Sequence, residues 1–245
     1  QEYYFQGIVT GVVEGGGHAI IVDLNLDAAE KLREELGKDK TSAYKVNLAN
    51  SAEIREVFGK IVADFKQIHG LINNAGIVST VPFDEVTQAE WDKVIAINLT
   101  GAMKVARAAL QYFLANEIKA NIVMITSNAA FESVTGGPAY CASKAGANAL
   151  MKSIAFEYGR KGIRCNSICP GPVGTNISES APDRNPAGVE VHIKTGYNAH
   201  CREWTCMPLG KADDIAPLAV YLASDESRFM NSASIVIDAG VCLSH

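Results

Sequence analysis

The sequence alternates between short apolar runs and longer segments with helical periodicity, and this alternation constrains the fold more than any other feature. The runs lack a polar residue at every second position, which is typical of strands buried on both faces. They occupy residues 8–9, 19–22, 43–46, 70–72, 122–125, 163–168 and 234–237. Strands that alternate with helices predict a parallel sheet covered on both faces, so we expect a single doubly wound α/β domain.

The segments between these runs favour helices. Leu26–Leu36 is rich in Ala, Glu, Lys and Leu and is followed by Gly37 as a stop signal. A second helix is expected to open at Ser51, and two long ones at residues 91–114 and 140–158. Both long helices are apolar around much of their circumference, which predicts a homo-oligomer, with a tetramer expected.

Composition narrows the class of protein. With 22 basic and 27 acidic residues the formal net charge is -5, so nucleic acid is not expected as a partner. No apolar stretch approaches 18 residues and no signal-peptide pattern is visible, so we expect neither a membrane span nor export. The six cysteines form no Cys-x-x-Cys pair, which predicts free thiols in the cytoplasm and no metal site.

The amino-terminal region is harder to interpret. Residues 4–7 match the end of a protease-cleavage tag, although a native start is equally open, so we treat residues 1–7 as a lead and residues 8–245 as the domain. Only seven residues separate Gly11 from Ala19, too few for a strand–helix–strand crossover. Residues 10–17 resemble a Gly-rich phosphate loop by accident, and residues 12–18 are typical of the end of a helix. We therefore expect the chain to be interrupted between Gly11 and Val12.

Four residues carry the clearest chemistry. Tyr140 and Lys144 lie four apart on one helix face, where the ammonium would favour the phenolate and lower the pKa of the tyrosine. Alone, this pair is also explained by a packing tyrosine and a solvated lysine. Ser127 follows the apolar strand 13 residues before Tyr140, and Asn98 lies in the preceding long helix.

Two more motifs complete the pattern: Asn73-Asn74-Ala75-Gly76 ends one strand, and residues 170–175 (Pro-Gly-Pro-Val-Gly-Thr) follow a later one. Together and in this order, the motifs resemble the short-chain dehydrogenase/reductase family, in its shorter branch of about 250 residues. The resemblance spans nearly the whole chain and implies a Rossmann-type fold. It also implies that Tyr140 is the general acid/base, that Lys144 lowers its pKa and binds the nicotinamide ribose, that Ser127 binds the substrate oxygen and that Asn98 holds a relay water.

The same resemblance predicts the nucleotide site. Asp23 ends the second run, where its carboxylate can accept both ribose hydroxyls and repel a 2′-phosphate, which favours NAD over NADP. Asn47 replaces the family's usual Asp beside adenine, which predicts weakened or altered binding. The expected cofactor contacts are Gly11, Asp23, Asn47, Leu48, Asn74, Ala75, Gly76, Tyr140, Lys144, Pro170, Gly171, Val173 and Thr175.

Residues 176–210 form a long connection that would cover the substrate in this family. Tyr197, His200 and Trp204 are its candidate substrate contacts, although each is also explained by packing. The segment carries no charge cluster, so a strongly anionic substrate is disfavoured.

Three functions remain open at this stage. The first is an NAD-dependent oxidoreductase that interconverts a secondary alcohol and a ketone. The second is a non-catalytic scaffold or binding protein that has lost its Gly-rich cofactor loop. The third is an epimerase or dehydratase of the longer branch, but too little sequence follows residue 210 for the substrate domain that such enzymes carry.

Overall fold

The computed structural model describes residues 4–132, 136–174 and 210–244. Within them the strands are β1 (Ala19–Asp23), β2 (Thr41–Lys45), β3 (Gly70–Asn73), β4 (Ala120–Ile125), β5 (Ile163–Pro170) and β6 (Ser234–Ile237). The α-helices are α1 (Tyr4–Glu14), α2 (Leu26–Leu36), α3 (Ser51–Asp64), α4 (Gln88–Ile95), α5 (Ala102–Ala115), α6 (Pro138–Tyr158) and α7 (Ala212–Ala223). All strand pairs are parallel, so the doubly wound α/β architecture is confirmed.

Strand β4 shows how the two faces of the sheet are covered. All six of its residues are buried, and alternate side chains enter different clusters. Ile122 and Met124 pack with α5 and α6, whereas Val123 and Ile125 pack with α1 and α7. No helix among the described residues is both long and apolar enough to span a bilayer.

The sheet is divided into two parts. In the described residues β1 pairs only with β2, and the other four strands follow the order β3-β4-β5-β6. Helix α1 packs on both parts: Ile8 joins the cluster that includes Ile72 of β3, and Val9 joins the cluster of Ala19 and Ile21 of β1. The two parts are therefore held together by side-chain packing rather than by strand pairing.

The structure corrects the interpretation of the amino terminus. Residues 8–9 are not a strand but lie within α1, which also includes residues 4–7. The expected interruption between Gly11 and Val12 is wrong, because both residues lie inside this helix and the Gly15 N–H donates to the Gly11 carbonyl at 3.0 Å. Burial of Ile8 and Val9 outweighs their intrinsic preference for strands. The expected helix end in residues 12–18 is confirmed, because α1 ends at Glu14.

The long helix expected at residues 91–114 is divided by a π-helical segment. Helix α4 continues through the π-helix Ala96–Gly101 into α5. Gly101 permits close contact with the chain that follows β2, since a Cβ atom there would lie 3.0 Å from both the Cβ and the carbonyl oxygen of Leu48. The π-turn holds Asn98 in the protein interior.

Candidate active site

The candidate active site lies at the carboxyl ends of β3, β4 and β5, beside the first two turns of α6. Pro138 opens α6, where the missing proline N–H costs no helical hydrogen bond. Tyr140 and Lys144 follow on its buried side, and Ser127 lies two residues beyond β4. The i, i+4 spacing therefore places the two side chains on one face, as expected.

Burial controls the protonation of this pair. It raises the pKa of Tyr140 to about 12, although a hydrogen bond with Ser127 acts to lower it. Burial also lowers the pKa of Lys144 to about 8. The Lys144 Nζ lies 5.6 Å from the centre of the Tyr140 ring and donates to the Ile125 carbonyl at 3.2 Å. The expected depression of the tyrosine pKa is therefore wrong, because loss of water penalises both charged forms.

Asn98 connects the loop after β3 to α6. Its Nδ2 donates to the Ile77 carbonyl at 2.8 Å and to Ser143 Oγ at 3.0 Å, and its Oδ1 accepts from the Ile77 N–H at 2.9 Å. Ser143 Oγ in turn donates to the Tyr140 carbonyl at 2.7 Å. A Cβ on Gly76 would lie 3.3 Å from Lys144 Nζ and 3.4 Å from Asn98 Oδ1, so the glycine keeps this corner open.

These contacts bring Ser127, Tyr140, Lys144 and Asn98 together at one edge of the sheet. Sequence reasoning missed Ser143, whose signal was its place inside the Tyr-x-x-x-Lys motif. It also missed Gly136, where a Cβ would lie 2.4 Å from Tyr140 Cδ1. A side chain at Gly136 would displace the tyrosine ring.

The adenosine end of the expected nucleotide site is formed by β1 and β2. The Val46 N–H donates to the Asp23 carbonyl at 3.0 Å, which joins the ends of the two strands. Asp23 Oδ1 accepts from the Asn25 N–H at 2.8 Å, and Asn47 follows β2 by two residues. Leu48 packs against Gly101, as described above.

The nicotinamide end of the expected site would be formed by the chain after β3 and β5. Asn74 Oδ1 is shielded from solvent and has no hydrogen-bond partner in the described residues, which fits a donor supplied by a bound group. Gly171 approaches Asp238 so closely that a Cβ would lie 2.3 Å from the Asp238 Cβ. Val173 forms a parallel bridge with Gly210. The unpartnered Asn74 Oδ1 is therefore the observation that fits a bound nicotinamide group.

The cofactor contact expected from Gly11 is not supported by its place in the fold. Gly11 lies in the interior of α1, and a Cβ there would lie 2.8 Å from Val220 Cγ2 of α7. Its role is to let two helices approach, and no Gly-rich phosphate loop occurs in residues 4–132, 136–174 or 210–244. The expected contacts at Thr175, Tyr197, His200 and Trp204 lie outside the described residues.

The sequence of the chain is similar to those of known enzymes. A family model described as enoyl-(acyl carrier protein) reductase matches residues 6–242. The 3beta-hydroxysteroid dehydrogenase 2 of Eggerthella lenta is 32% identical over 238 residues, which cover 96% of this chain and 89% of the relative. The chain belongs to the short-chain dehydrogenase/reductase family. Another member, D-threitol dehydrogenase of Mycolicibacterium smegmatis, is 34% identical over 249 residues, covering 95% of this chain and 91% of its own.

Solved structures agree with this assignment. The crystal structure of gox2181 aligns with a TM-score of 0.86 at 27% identity and covers 99% of this chain and 92% of its own. A short-chain dehydrogenase from Bacillus anthracis aligns with a TM-score of 0.82 at 27% identity, covering 99% and 93%. As a short-chain dehydrogenase/reductase, the protein is an oxidoreductase that acts on CH–OH groups of small molecules with a nicotinamide cofactor.

Proposed function

We propose that the protein is an NAD-dependent dehydrogenase that interconverts a secondary alcohol and a ketone. The observation that carries this proposal is the convergence of Ser127, Tyr140, Lys144 and Asn98 in one buried corner at the carboxyl ends of the strands. A binding protein needs no such arrangement of a phenol, a hydroxyl and an ammonium group.

Each residue has a distinct part in this proposal. When bound, the nicotinamide supplies or accepts the hydride. With its pKa raised to about 12, Tyr140 keeps its proton at neutral pH and is able to donate it to the oxygen of a ketone. Ser127 Oγ can hydrogen-bond the same oxygen as charge develops on it. Lys144 holds the end of β4 and can bind the ribose hydroxyls.

The negative charge of Asp23 at the end of β1 supports a preference for NAD over NADP. A carboxylate at Asp23 would repel a 2′-phosphate. The first cationic side chain that follows, Lys31, lies 3.9 Å from Glu35 on the solvent side of α2. The residues between Asp23 and Lys31 therefore supply no cation for a 2′-phosphate.

One observation favours a second candidate, a non-catalytic scaffold. The described residues contain no Gly-rich phosphate loop, and none of their strands pairs with both β1 and β3. A protein that cannot hold the pyrophosphate would retain the fold without turnover.

Absorbance at 340 nm separates these candidates. We expect turnover with NAD, and less with NADP, on a panel of secondary alcohols that includes D-threitol and a 3β-hydroxysteroid, the classes named for two relatives. Calorimetric titration with NAD should show binding. Absence of both binding and turnover would support the scaffold instead.

The substitution Tyr140→Phe tests the role of the tyrosine hydroxyl directly. It removes only the ionisable hydroxyl, so we expect turnover to fall at least about a hundredfold while the dissociation constant for NAD changes little. Turnover like that of the unsubstituted protein would contradict the assigned role of Tyr140.

A further inference from the structure

Helix α4 begins with a sequence that is typical of a capping box. Thr87 is the N-cap, and its hydroxyl accepts from the Glu90 N–H at 3.2 Å. A glutamate at this third helical position commonly turns back to the backbone of the cap residue. Here Glu90 Oε1 instead accepts a hydrogen bond from Ser79 Oγ. The Glu90 carboxylate therefore links α4 to the loop that follows β3.

Ser79 is buried, with 3% of its surface exposed, and is held by its side chain and its backbone. Its hydroxyl donates to Glu90 and accepts from the Val81 N–H at 3.4 Å. Its carbonyl accepts from the Gly137 N–H at 2.7 Å. A hydrogen bond to an ionised group is stronger than one between neutral groups, so Glu90 is the stronger partner of the hydroxyl. Ser79 thus joins α4 to the residue that precedes α6.

A pair of glycines, Gly136 and Gly137, lies between this loop and the Tyr140 ring. A Cβ on Gly137 would lie 2.8 Å from the Val81 carbonyl oxygen and 3.1 Å from that of Ser79. A Cβ on Gly136 would lie 2.4 Å from Tyr140 Cδ1 and 3.1 Å from its Cγ. The glycine pair therefore packs against the loop through one residue and against the tyrosine ring through the other.

Contacts with α6 restrain the glycine pair less firmly. The Cys141 N–H donates to the Gly137 carbonyl at 3.0 Å, in the pattern of the helix itself. Cys141 Sγ donates to the Gly136 carbonyl at 3.2 Å, but a thiol is a weak donor. The hydrogen bond from Gly137 to Ser79 is therefore the stronger restraint on the pair outside the helix.

We propose that Glu90, acting through Ser79, is a positioning residue for Tyr140. The carboxylate holds the loop, the loop supports the glycine pair, and the pair limits the tilt of the tyrosine ring. The hydroxyl lies at the far end of that ring, so a small movement at the pair is enlarged there. A misplacement of about 1 Å at a reacting group can lower a rate about a hundredfold. This inference rests on the proposed function, since it requires that Tyr140 transfer the proton.

The test uses the rate of NADH formation in a single turnover, followed at 340 nm with the alcohol that gives the highest turnover in the panel above. We expect Ser79→Ala and Glu90→Leu each to lower this rate by about tenfold or more, because the ring loses its support. The dissociation constant for NAD, measured by calorimetry, should not change. Glu90→Gln keeps an acceptor oxygen for Ser79, so its rate should stay within about threefold of the unsubstituted protein.

Two further variants separate positioning from a general loss of stability. Asp92→Leu removes one negative charge from the same helix and breaks the contact of Asp92 Oδ1 with Gln88 Nε2 at 2.7 Å. This control should leave the rate unchanged. The double variant Ser79→Ala with Glu90→Leu should be no slower than either single variant, because both act through one hydrogen bond.

Each outcome decides the inference. A rate within about threefold of the unsubstituted protein in folded Ser79→Ala would overturn it, even if Glu90→Leu failed to fold. Losses that add in the double variant, or a similar loss in Asp92→Leu, would also overturn it. An equal loss in Glu90→Gln and Glu90→Leu would assign the effect to charge and would reject the hydrogen bond as its cause. Absence of turnover in the unsubstituted protein would overturn the proposed function, and this inference with it.

Discussion

Tyr140 and Lys144 are both buried in the candidate active site. Their protonation therefore makes the stability of the fold depend on pH. Burial raises the pKa of Tyr140 to about 12 and lowers that of Lys144 to about 8. Between pH 8 and 10.5 the unfolded lysine binds a proton that the folded one has released. Stability attributable to Lys144 therefore rises with pH across this window.

A substitution isolates this effect. In Lys144→Met we expect the free energy of unfolding to lose the rise that Lys144 contributes between pH 8 and 10, on the order of 2 kcal/mol. Cys165 titrates in both proteins, so its contribution cancels in the difference. Cys169 is coupled to Lys144, so the difference includes the change in its titration. Urea unfolding at several pH values measures it, and parallel curves for the two proteins would contradict the assignment.

Much of the candidate site could be predicted from the sequence, residue by residue. Ser127 follows a strand and Tyr140 and Lys144 stand at a helical spacing, whereas the role of Asn98 came from the family resemblance. The direction of the Tyr140 pKa could not be predicted, because it depends on how much water the surrounding fold removes. Ser143 was missed because its contact with Asn98 joins residues 45 positions apart.

At the scale of elements, two glycines in helical segments have opposite surroundings. A Cβ on Gly59 in α3 would meet nothing within 4 Å, whereas a Cβ on Gly101 would meet the backbone and Cβ of Leu48 at 3.0 Å. Gly59→Ala should stabilise the protein by about 0.5–1 kcal/mol through helix propensity. Gly101→Ala should destabilise it by about 1–3 kcal/mol, because the Leu48 backbone cannot yield easily.

Chemical denaturation of both variants measures the two shifts. Since Gly101 ends the π-helix that holds Asn98, its substitution should also lower turnover, and Gly59→Ala should not. Stabilisation by Gly101→Ala would show that the contact between α5 and Leu48 is looser than described.

Six of the seven predicted strands are confirmed, because residues of each run pair in parallel. Only β4 and β5 are buried along nearly their whole length, as strands covered on both faces should be. Residues 8–9 failed for a physical reason. Two β-branched residues in succession suit a strand, but here they lie on the buried side of a helix that packs on two sheets at once. The local sequence pattern could not show this burial, because α1 also packs against α7, which lies some 200 residues further along the chain.

At the scale of the whole molecule, exposed aromatic side chains support the expected oligomer. Phe156 on α6 is 89% exposed, and Phe229 after α7 is 102% exposed. Asn231 Nδ2 donates to the Ala155 carbonyl at 3.1 Å, so the two chain segments that carry these rings meet. Rings this exposed suit an interface with another copy of the chain.

We expect light scattering to give the mass of a tetramer. Phe156→Lys should lower the assembled fraction, and Gln111→Lys, which adds the same charge on exposed α5, should not. A monomeric mass for the unsubstituted protein would end this prediction.

The divided sheet also has a consequence for how the molecule opens. Strands β1 and β2 share no hydrogen-bonded ladder with the other four. This pair can therefore separate from them by breaking side-chain contacts, which include the packing at α1 and that of Leu48 on Gly101. We expect the backbone amides of β1 and β2 to exchange with deuterium through a low-energy partial opening, while those of β4 and β5 await global unfolding. Equal protection in all strands would show one cooperative unit. If the pair does open alone, the adenosine end can loosen while the catalytic corner stays folded, and dinucleotide binding would then close the molecule.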